Sequence, residues 1–411
     1  MSGANSTLIQ GARIFDGERV IPLGSVLFRG ERIVAVGADI ALPSGCEVVP
    51  GQGRTLLPGL IDAHTHTPTN PAFALRALRH ALTFGVTTTL DMGTDPMTAA
   101  RMKAHAAVHG DIADLRSAEV VATAPGGHPT ELGAVLPTLT APGQAPGFVA
   151  DRVAEGSDYL KIILEDGWAY GLTQPCLAYP VLAALVREAH AHRLMAVAHV
   201  TRQAMARQAL AAGVDVLAHT FVDEPPAPDV VEAIAAAGLV VIPTLAVFET
   251  AATHELATDP RVAPFMEAEF LARLGERFPT KVRPPSQIDI GTRVVRALHA
   301  AGVPILAGTD APNPATAPGA SLHRELRLLA AAGLAPTEAL AAATSRPARV
   351  FGLSDRGRIA PGLRADLLLV EGDPATDLDA ALDIVAVWRG GVRFDREARR
   401  RLVATGGVDT T

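Results

Sequence analysis

The chain has 411 residues, of which 48% are hydrophobic, so it can form one large domain with a sizeable core and a smaller second domain. The formal net charge of -7 is spread along the sequence without a basic run, which argues against a nucleic-acid-binding surface. Cys46 and Cys176 lie far apart and form no CxxC motif. We see neither a signal-peptide pattern nor an apolar run long enough to span a membrane, so we expect a cytoplasmic protein.

Short strands separated by glycine-containing turns are predicted at both ends of the chain. Alternation of apolar and polar residues between turn pairs such as Asp16-Gly17 is typical of small antiparallel sheets. The predicted strands are Thr7–Ile14, Gly24–Arg29, Arg32–Gly37, Ala365–Glu371 and Ile384–Arg389. Because both ends share this pattern, we predict one small β-sandwich domain built from residues 1–57 and 355–411.

Between these ends, residues 58–354 alternate short apolar strands with alanine-rich helices. Eight strands are predicted: one that ends at His64, then Val86–Met92, Leu115–Ala122, Tyr159–Leu164, Met195–Val200, Asp215–Thr220, Leu239–Leu245 and Pro304–Thr309. Eight βα units in this length predict an α/β fold with a closed (β/α)8 TIM-like barrel. The alternative, a doubly wound open sheet, lacks a GxGxxG motif after its first strand.

Two connections in this region are too long for plain linkers. Residues 125–147 follow the third strand, and residues 248–285 follow the seventh. Loops of this length in compact barrels commonly act as lids or as walls of a substrate cavity. Two predicted helices, Ser321–Ala332 and Pro336–Phe351, end the barrel region.

Polar side chains that can bind metal follow or end five of the eight predicted strands. Residues two apart on a strand point to the same face, so His64 and His66 form a natural half of a divalent-metal site. The carboxyl ends of barrel strands gather on one face, where active sites lie. We therefore expect six residues to converge there: His64, His66, Lys161, His199, His219 and Asp310.

Lys161 is one of only three lysines and stands between Leu160 and Ile162 in an apolar strand. A protonated ammonium beside two divalent cations is unfavourable, and both burial and cations lower its pKa. A neutral amine can take up CO2 to form an anionic carbamate, which can bridge two metals. The alternative is an ordinary lysine that reaches solvent or pairs with Glu165 or Asp166.

This ligand pattern resembles the metal-dependent amidohydrolase superfamily. The C-terminal segments LAGTDAP and GRIAPGLRADLLLVEGDP are similar to the shared tail of that superfamily. Within it, the sequence is most similar to the imidazolonepropionase- and prolidase-like branch, which includes Xaa-Pro and Xaa-Arg dipeptidases and ochratoxin-hydrolysing amidases. The resemblance implies two divalent metal ions, with zinc expected. It assigns His64, His66 and Asp310 to the more buried ion, His199 and His219 to the other, and carboxylated Lys161 to the bridge between them.

The resemblance also implies a function, an amidohydrolase that cleaves an amide C–N bond. The expected substrate is an N-acyl amino acid, a dipeptide or a related small amide. A hydroxide that bridges the metals would attack the carbonyl, with Asp310 as general acid and base. His128 and Tyr170 are candidate catalytic residues that also bind substrate, and Arg202 is a candidate partner for a substrate carboxylate. The competing interpretations are a surface loop for His128 and a solvent-facing helix start for Arg202.

Other functions remain open at this point. A cyclic-amide hydrolase or a mononuclear deaminase of the same superfamily is the main alternative. Such deaminases typically have a glutamate three residues after the strand-5 histidine, where this chain has Arg202, and the presence of Lys161 also favours two metals. A phosphotriesterase-type or lactone hydrolase would share the metal chemistry, whereas a non-catalytic barrel is expected to lose ligands. Formation of a homo-oligomer is left open.

Overall fold

The structure is a computed structural model that describes residues 6–249, 253–277 and 287–407. The strands in these ranges are β1 (Ser6–Phe15), β2 (Val20–Arg29), β3 (Arg32–Gly37), β4 (Glu47–Pro50), β5 (Arg54–Pro58), β6 (Leu60–Thr65), β7 (Val86–Asp91), β8 (Asp114–Ser117), β9 (Leu160–Leu164), β10 (Ala196–Val200), β11 (Val216–Ala218), β12 (Val240–Ile242), β13 (Leu367–Glu371), β14 (Ile384–Arg389) and β15 (Val392–Arg393). The α-helices are α1 (Pro71–Thr83), α2 (Pro96–Val108), α3 (Ala145–Glu155), α4 (Tyr179–Ala191), α5 (Gln203–Ala212), α6 (Pro228–Ala236), α7 (Leu245–Phe248), α8 (Thr253–Thr258), α9 (Ala268–Gly275), α10 (Gln287–Ala300), α11 (Ala320–Ala331), α12 (Pro336–Ala342), α13 (Ser345–Val350) and α14 (Arg396–Ala404).

Strands from both ends of the chain form one eight-stranded sheet. Its order is β15-β14-β13-β5-β1-β2-β3, and β4 pairs with β1 outside this path. The two ends meet where β13 runs antiparallel to β5, with Leu369 opposite Leu56. Phe28 and Trp388 pack edge to face at 6.0 Å in the separate core of this sheet. The β-rich unit is thus confirmed, while its boundaries at residues 57 and 355 stay predictions.

The remaining strands form the predicted barrel. Strands β6, β7 and β8 pair in parallel, as do β9, β10, β11 and β12. Parallel bridges join Ala122 to Ile162 and Val241 to Ile305. The ring closes where the backbone N–H of Ala63 donates to the carbonyl of Ala307 at 2.9 Å. These connections confirm the fold class that the alternating sequence pattern predicts.

The eighth strand is less regular than predicted. Of residues 304–309, only Ile305 forms a strand bridge. The segment instead bonds to the first barrel strand, because the N–H groups of Thr309 and Asp310 both donate to the carbonyl of His64, at 3.1 and 2.7 Å. Asp310 then adopts a left-handed conformation with φ of 63°. This bend breaks the ladder and places the Asp310 carboxylate beside the first strand.

Two further elements are shorter than predicted. The third strand ends at Ser117 rather than at 122, because Glu119 has a left-handed φ of 56° that interrupts the extended chain. The predicted helix 336–351 divides into α12 and α13. The carbonyls of Ala342 and Ala343 accept hydrogen bonds from Ala307 and Ile61, so they bind barrel backbone rather than continue the helix.

Apolar side chains fill the barrel below these strand ends. Ile61, Leu90, Val197, Val216 and Ile242 come from five barrel strands and belong to one buried cluster. Polar groups are therefore concentrated at the carboxyl ends of the strands, where the loops begin. In the part of the chain that the structure describes, no helix is long and apolar enough to cross a membrane.

Candidate metal centre

Two histidines of the first barrel strand share one oxygen of Asp310. Oδ1 of Asp310 lies 3.2 Å from Nε2 of His64 and 3.1 Å from Nε2 of His66. His64 is completely buried, whereas the side chain of His66 is 35% exposed and faces a cavity. The structure therefore brings together the three residues predicted for the more buried ion.

The histidines of strands 5 and 6 lie against this group. The ring centroid of His219 is 4.4 Å from that of His199 and 4.5 Å from that of His64. Ligand atoms of His64, His219 and Asp310 all lie within 4.8 Å of one another. Nitrogen and carboxylate oxygen atoms at such separations can surround one divalent ion.

Burial keeps three of the four imidazoles in the form that binds metal; at His66 the effect of burial is outweighed by Asp310, which raises the pKa of that ring. Burial lowers the pKa of His64 to about 3 and that of His199 to about 4, and it lowers the pKa of His219 well below its usual value. At neutral pH these rings are therefore neutral and offer a lone pair. A metal-ligating histidine must be neutral, so the electrostatics suit a cation.

In each of three histidine rings, one nitrogen contacts a residue outside the cluster. Nδ1 of His66 lies 3.3 Å from the carbonyl of Gly93, and Nε2 of His199 lies 3.4 Å from Oε2 of Glu165. Nδ1 of His219 lies 2.6 Å from Oγ1 of Thr244. Each contact leaves the other ring nitrogen available, as is usual for histidines whose second nitrogen binds a metal.

Lys161 lies in the same cluster and forms no ion pair with a carboxylate of the described residues, although Asp310 and Asp91 are near enough to act on its charge. Its side chain is buried and its Nζ has no hydrogen-bond partner among the described residues. Burial lowers its pKa from 10.5 to about 7, although Asp310 acts to raise it. Glu165, a candidate partner for an ordinary lysine, is bonded to Thr201, to the N–H of Gly167 and to His199 instead.

Several buried atoms of the cluster lack a good hydrogen bond. Within the described ranges Nδ1 of His64 and Nζ of Lys161 have no partner, whereas Nε2 of His64 and Oδ1 of Asp310 lie 3.2 Å apart without good hydrogen-bond geometry. A buried polar atom without a partner costs about 1–3 kcal/mol, and several at one place are unusual. A divalent cation would satisfy nitrogen and oxygen atoms together, so the residues present fit a metal centre.

A cavity of about 530 Å³ opens from this centre. Its floor includes His66, Lys161, His199, His219 and Asp310. The predicted loop after the third strand supplies one wall, and this wall is largely apolar. In that loop the side chains of Leu132 and Val135 are 63% and 98% exposed. Exposed aliphatic groups beside a cavity indicate a surface for an apolar group of a ligand.

The two predicted substrate-binding residues of this face lie together in the cavity. The rings of His128 and Tyr170 stack with centroids 5.2 Å apart and planes inclined by 19°. Nδ1 of His128 lies 2.6 Å from Oε1 of Glu131, which leaves Nε2 for another partner. The ring of His128 is 5.4 Å from that of His199, so this pair borders the candidate metal centre.

Arg202 is not among the residues that line this cavity. Its Nη1 donates to Oδ2 of Asp166 at 2.7 Å, and its Nε donates to Oδ2 of Asp223 at 3.4 Å. These two carboxylates come from neighbouring loops that the sequence does not place beside Arg202. The geometry therefore gives no support to its predicted contact with a substrate carboxylate, which stays a prediction.

The sequence analysis assigns no role to two buried carboxylates behind the ligands. Asp62 accepts hydrogen bonds from the N–H of His64 at 3.2 Å and from the hydroxyl of Thr309 at 2.7 Å, so it ties the first and last barrel segments together. Burial raises the pKa of Asp62 to about 7. Asp91 accepts from the N–H of Thr67 and the hydroxyl of Ser117, both at 2.5 Å. Asp91 ends β7 and Asp62 lies within β6 two residues before His64, and these positions were the only available signal.

Comparison with known proteins supports this geometry. Residues 55–393 match the Amidohydrolase family, so the chain belongs to that family. A segment of 85 residues is 47% identical to the imidazolonepropionase of Cereibacter sphaeroides, covering 20% of this chain and 21% of that protein. The chain therefore spans about a fifth of the length of the curated relatives it matches.

Solved structures of similar fold cover nearly the whole chain. A Xaa-Pro dipeptidase with bound methionine has a TM-score of 0.78 and 20% identity, covering 95% of this chain and 100% of that chain. A structure described as a putative prolidase from Bifidobacterium longum has a TM-score of 0.76 and 24% identity, covering 98% and 99%. These likenesses show a shared fold, and the family match confirms the predicted superfamily.

Proposed function

We propose that the protein is a binuclear metal-dependent hydrolase that cleaves an amide C–N bond in an N-acyl amino acid, a dipeptide or a related amide. One observation carries this proposal: five potential ligands from five barrel strands form the floor of one cavity, and the sixth, His64, is buried directly behind them against Asp310 and His219. Family membership supports the same chemistry.

The division into two ligand sets follows the family resemblance, and the contacts between the residues are compatible with it. His64, His66 and Asp310 meet at one carboxylate oxygen and would hold the more buried ion. His199 and His219, whose ring centroids are 4.4 Å apart, would hold the second ion. Sets rich in imidazole with one carboxylate suit Zn²⁺, which is the expected metal.

Lys161 would bridge the two sets as a carbamate. Its neutral amine adds to CO2 with formation of one N–C bond, opening of one C=O π bond and release of one proton, which converts a neutral side chain into an anionic ligand. The lowered pKa of about 7 leaves a substantial neutral fraction of Lys161 for this reaction. The absence of a hydrogen bond to its Nζ in the described structure leaves room for the added group.

Bound ions would supply Lewis-acid activation of the attacking water and of the substrate carbonyl. Asp310 accepts the proton of that water and transfers it to the leaving amine as a C–O bond forms and the C–N bond breaks. His128 and Tyr170 line the same cavity and would donate hydrogen bonds to the carbonyl oxygen of the substrate. The apolar wall at Leu132 and Val135 would hold the substituent next to that carbonyl.

Hydrolysis of a cyclic amide is the second candidate. The 47% identity to an imidazolonepropionase over 85 residues favours it. Opening a ring amide uses the same water attack and the same proton transfer by Asp310. It differs only in that the leaving nitrogen stays attached to the product, so the two candidates are separated by substrate rather than by the ligand set.

Metal content is the first test. Protein purified without chelator should contain about two zinc-like ions per chain by elemental mass spectrometry. Lys161→Ala and His199→Ala should lower this number, and full occupancy in both variants would overturn the ligand assignment. One ion per chain in the wild-type protein would favour a mononuclear site instead.

Activity is the second test. N-acyl amino acids, dipeptides and hydantoin- or imidazolone-type rings form the substrate panel. Asp310→Asn should reduce turnover at least a hundredfold while far-UV circular dichroism stays unchanged. Asp223→Asn is the matched control, because this carboxylate pairs with Arg202 outside the cavity. Near-normal turnover in Asp310→Asn would remove Asp310 as the acid and base.

A further inference from the structure

A threonine after the seventh barrel strand contacts one of the candidate ligands. Thr244 follows β12 and is completely buried. Its Oγ1 lies 2.6 Å from Nδ1 of His219. Both residues have left-handed backbone conformations, with φ of 50° for Thr244 and 67° for His219. Two adjacent strand ends are therefore bent so that a hydroxyl meets an imidazole.

The conformation of Thr244 is costly for its residue type. Left-handed φ is rare for β-branched residues, and such a conformation costs roughly 1–3 kcal/mol. Thr244 also stands at the N-cap of α7, where a threonine hydroxyl commonly accepts a hydrogen bond from the helix backbone. No such side-chain bond is formed. The hydroxyl contacts His219 instead, so the strain serves that contact rather than the helix.

The contact occupies Nδ1 of His219, so Nε2 is the nitrogen left for a cation. A threonine hydroxyl can donate or accept, and a neutral imidazole carries its one N–H on Nδ1 when Oγ1 of Thr244 accepts this hydrogen bond. The lone pair of Nε2 is then free. The rings of His64 and His199 flank His219 at centroid distances of 4.5 and 4.4 Å.

We propose that Thr244 is a positioning residue that holds His219 in the Nδ1–H tautomer and fixes its ring orientation for metal binding. The inference rests on the proposed metal centre. Thr244 touches neither substrate nor metal in this scheme and acts only through His219. Outer partners of this kind typically change metal affinity roughly tenfold to a hundredfold.

Thr244→Val tests the hydroxyl, because valine keeps the shape of the side chain and removes the donor and acceptor. Thr244→Ser keeps the hydroxyl. Thr220→Val is the matched control: Thr220 is adjacent to His219 and buried, and its Oγ1 has no hydrogen-bond partner among the described residues. Isothermal calorimetry of Zn²⁺ binding to chelator-treated protein, and visible spectra of Co²⁺-loaded protein, are the measurements.

Thr244→Val should weaken zinc binding at one of two sites roughly tenfold or more and change the Co²⁺ spectrum. Thr244→Ser and Thr220→Val should bind like the wild-type protein. Equal zinc affinity and equal Co²⁺ spectra for Thr244→Val and the wild type would overturn the inference. If Thr244→Val does not fold, Thr244→Ala compared with Thr244→Ser measures the same loss. A wild-type protein that binds no zinc would instead overturn the proposed function.

Discussion

Replacement of Asp114 by asparagine should destabilise the contact between the barrel and the C-terminal segment. Asp114 begins β8, and three guanidinium groups from that segment surround its carboxylate. Nη1 of Arg356 donates to Oδ2, Nη1 of Arg364 lies 3.2 Å from the same oxygen, and Nη2 of Arg389 lies 3.7 Å from Oδ1. The side chains of Arg356 and Arg389 are only 4% exposed, so this is a buried charge cluster.

The pKa of Asp114 gives the size of the effect. Burial alone would raise this pKa, but the guanidinium groups of Arg356, Arg389 and Arg364 more than offset burial and lower it from 3.8 to about 2. A shift of just under two pKa units corresponds to roughly 2.5 kcal/mol of unfolding free energy at neutral pH. Because the folded pKa is the lower one, this stabilisation is complete above pH 5 and is lost as the pH falls through 3.8 towards 2.

Asparagine also removes the one carboxylate that all three guanidinium groups share, which leaves Arg356 with Asp355 and Arg364 with Asp366. Removal of one partner of a buried pair typically costs about 3–5 kcal/mol. We therefore expect Asp114→Asn to lose roughly 3 kcal/mol at pH 7. The loss should be constant between pH 5 and 8, since Asp114 is fully ionised throughout that range.

Tryptophan fluorescence during urea unfolding can measure this loss. The chain has two tryptophans, and Trp388 is buried in β14 next to Arg389, so a Trp168→Phe background isolates its signal. Glu371→Gln is the control, because it removes an exposed pair with Arg54 at 2.9 Å and should cost less than about 1 kcal/mol. Asp114→Asn with a midpoint equal to that of the control would refute the reasoning.

Two further predictions concern the cavity. Val135→Asp should raise KM roughly tenfold for substrates with a large apolar acyl group and leave kcat nearly unchanged, because one aliphatic contact contributes about 1.5 kcal/mol. The control is Val153→Asp on the outer helix α3, which should not change KM. Equal KM values for the two variants would contradict the apolar wall. Arg202→Gln should leave KM for N-acyl amino acids unchanged, because Asp166 and Asp223 already pair with this guanidinium. A tenfold increase in KM confined to substrates with a carboxylate would restore the predicted role of Arg202.

The convergence of the six potential ligands could be predicted because it follows from a general property of parallel barrels. Strand ends meet at one face, so the order of strands is sufficient to bring His64, His219 and Asp310 together. Lys161 is only the second residue of β9, and its side chain lines the same cavity. The exact register of the strands is not needed to predict that these side chains converge. For the same reason the fold was predictable even though the eighth strand forms only one bridge, at Ile305.

The residues that hold the ligands could not be predicted in this way. Thr244 reaches His219 only because both backbones turn into the left-handed region, and nothing in the sequence around them requires that conformation. Glu165 approaches His199 from the adjacent strand through a contact that depends on side-chain direction. Such contacts arise between loops and strands whose relative geometry is set by the whole barrel.

Arg202 illustrates what proximity in sequence leaves open. An arginine three residues after a candidate ligand is close to the site in sequence, and a carboxylate-binding role follows if no other acid is near. Asp166 and Asp223 come from two other loops of the same barrel face. Proximity in sequence therefore indicates the face of the barrel on which Arg202 lies, but not the carboxylates with which it pairs. That pairing depends on loops whose positions the strand pattern does not predict.

These cases separate the chemistry of the site from its choice of substrate. The potential ligands lie on or just after strands that are bonded into a closed ring, so their positions depend on the barrel backbone. Leu132, Val135 and His128 lie on the loop after the third strand, which is free to vary in length and sequence. Changes in that loop can alter the substrate while the metal ligands stay in place. Substitutions at Val135 should therefore change substrate preference, and substitutions at Thr244 should change metal affinity, with little effect of either on the other property.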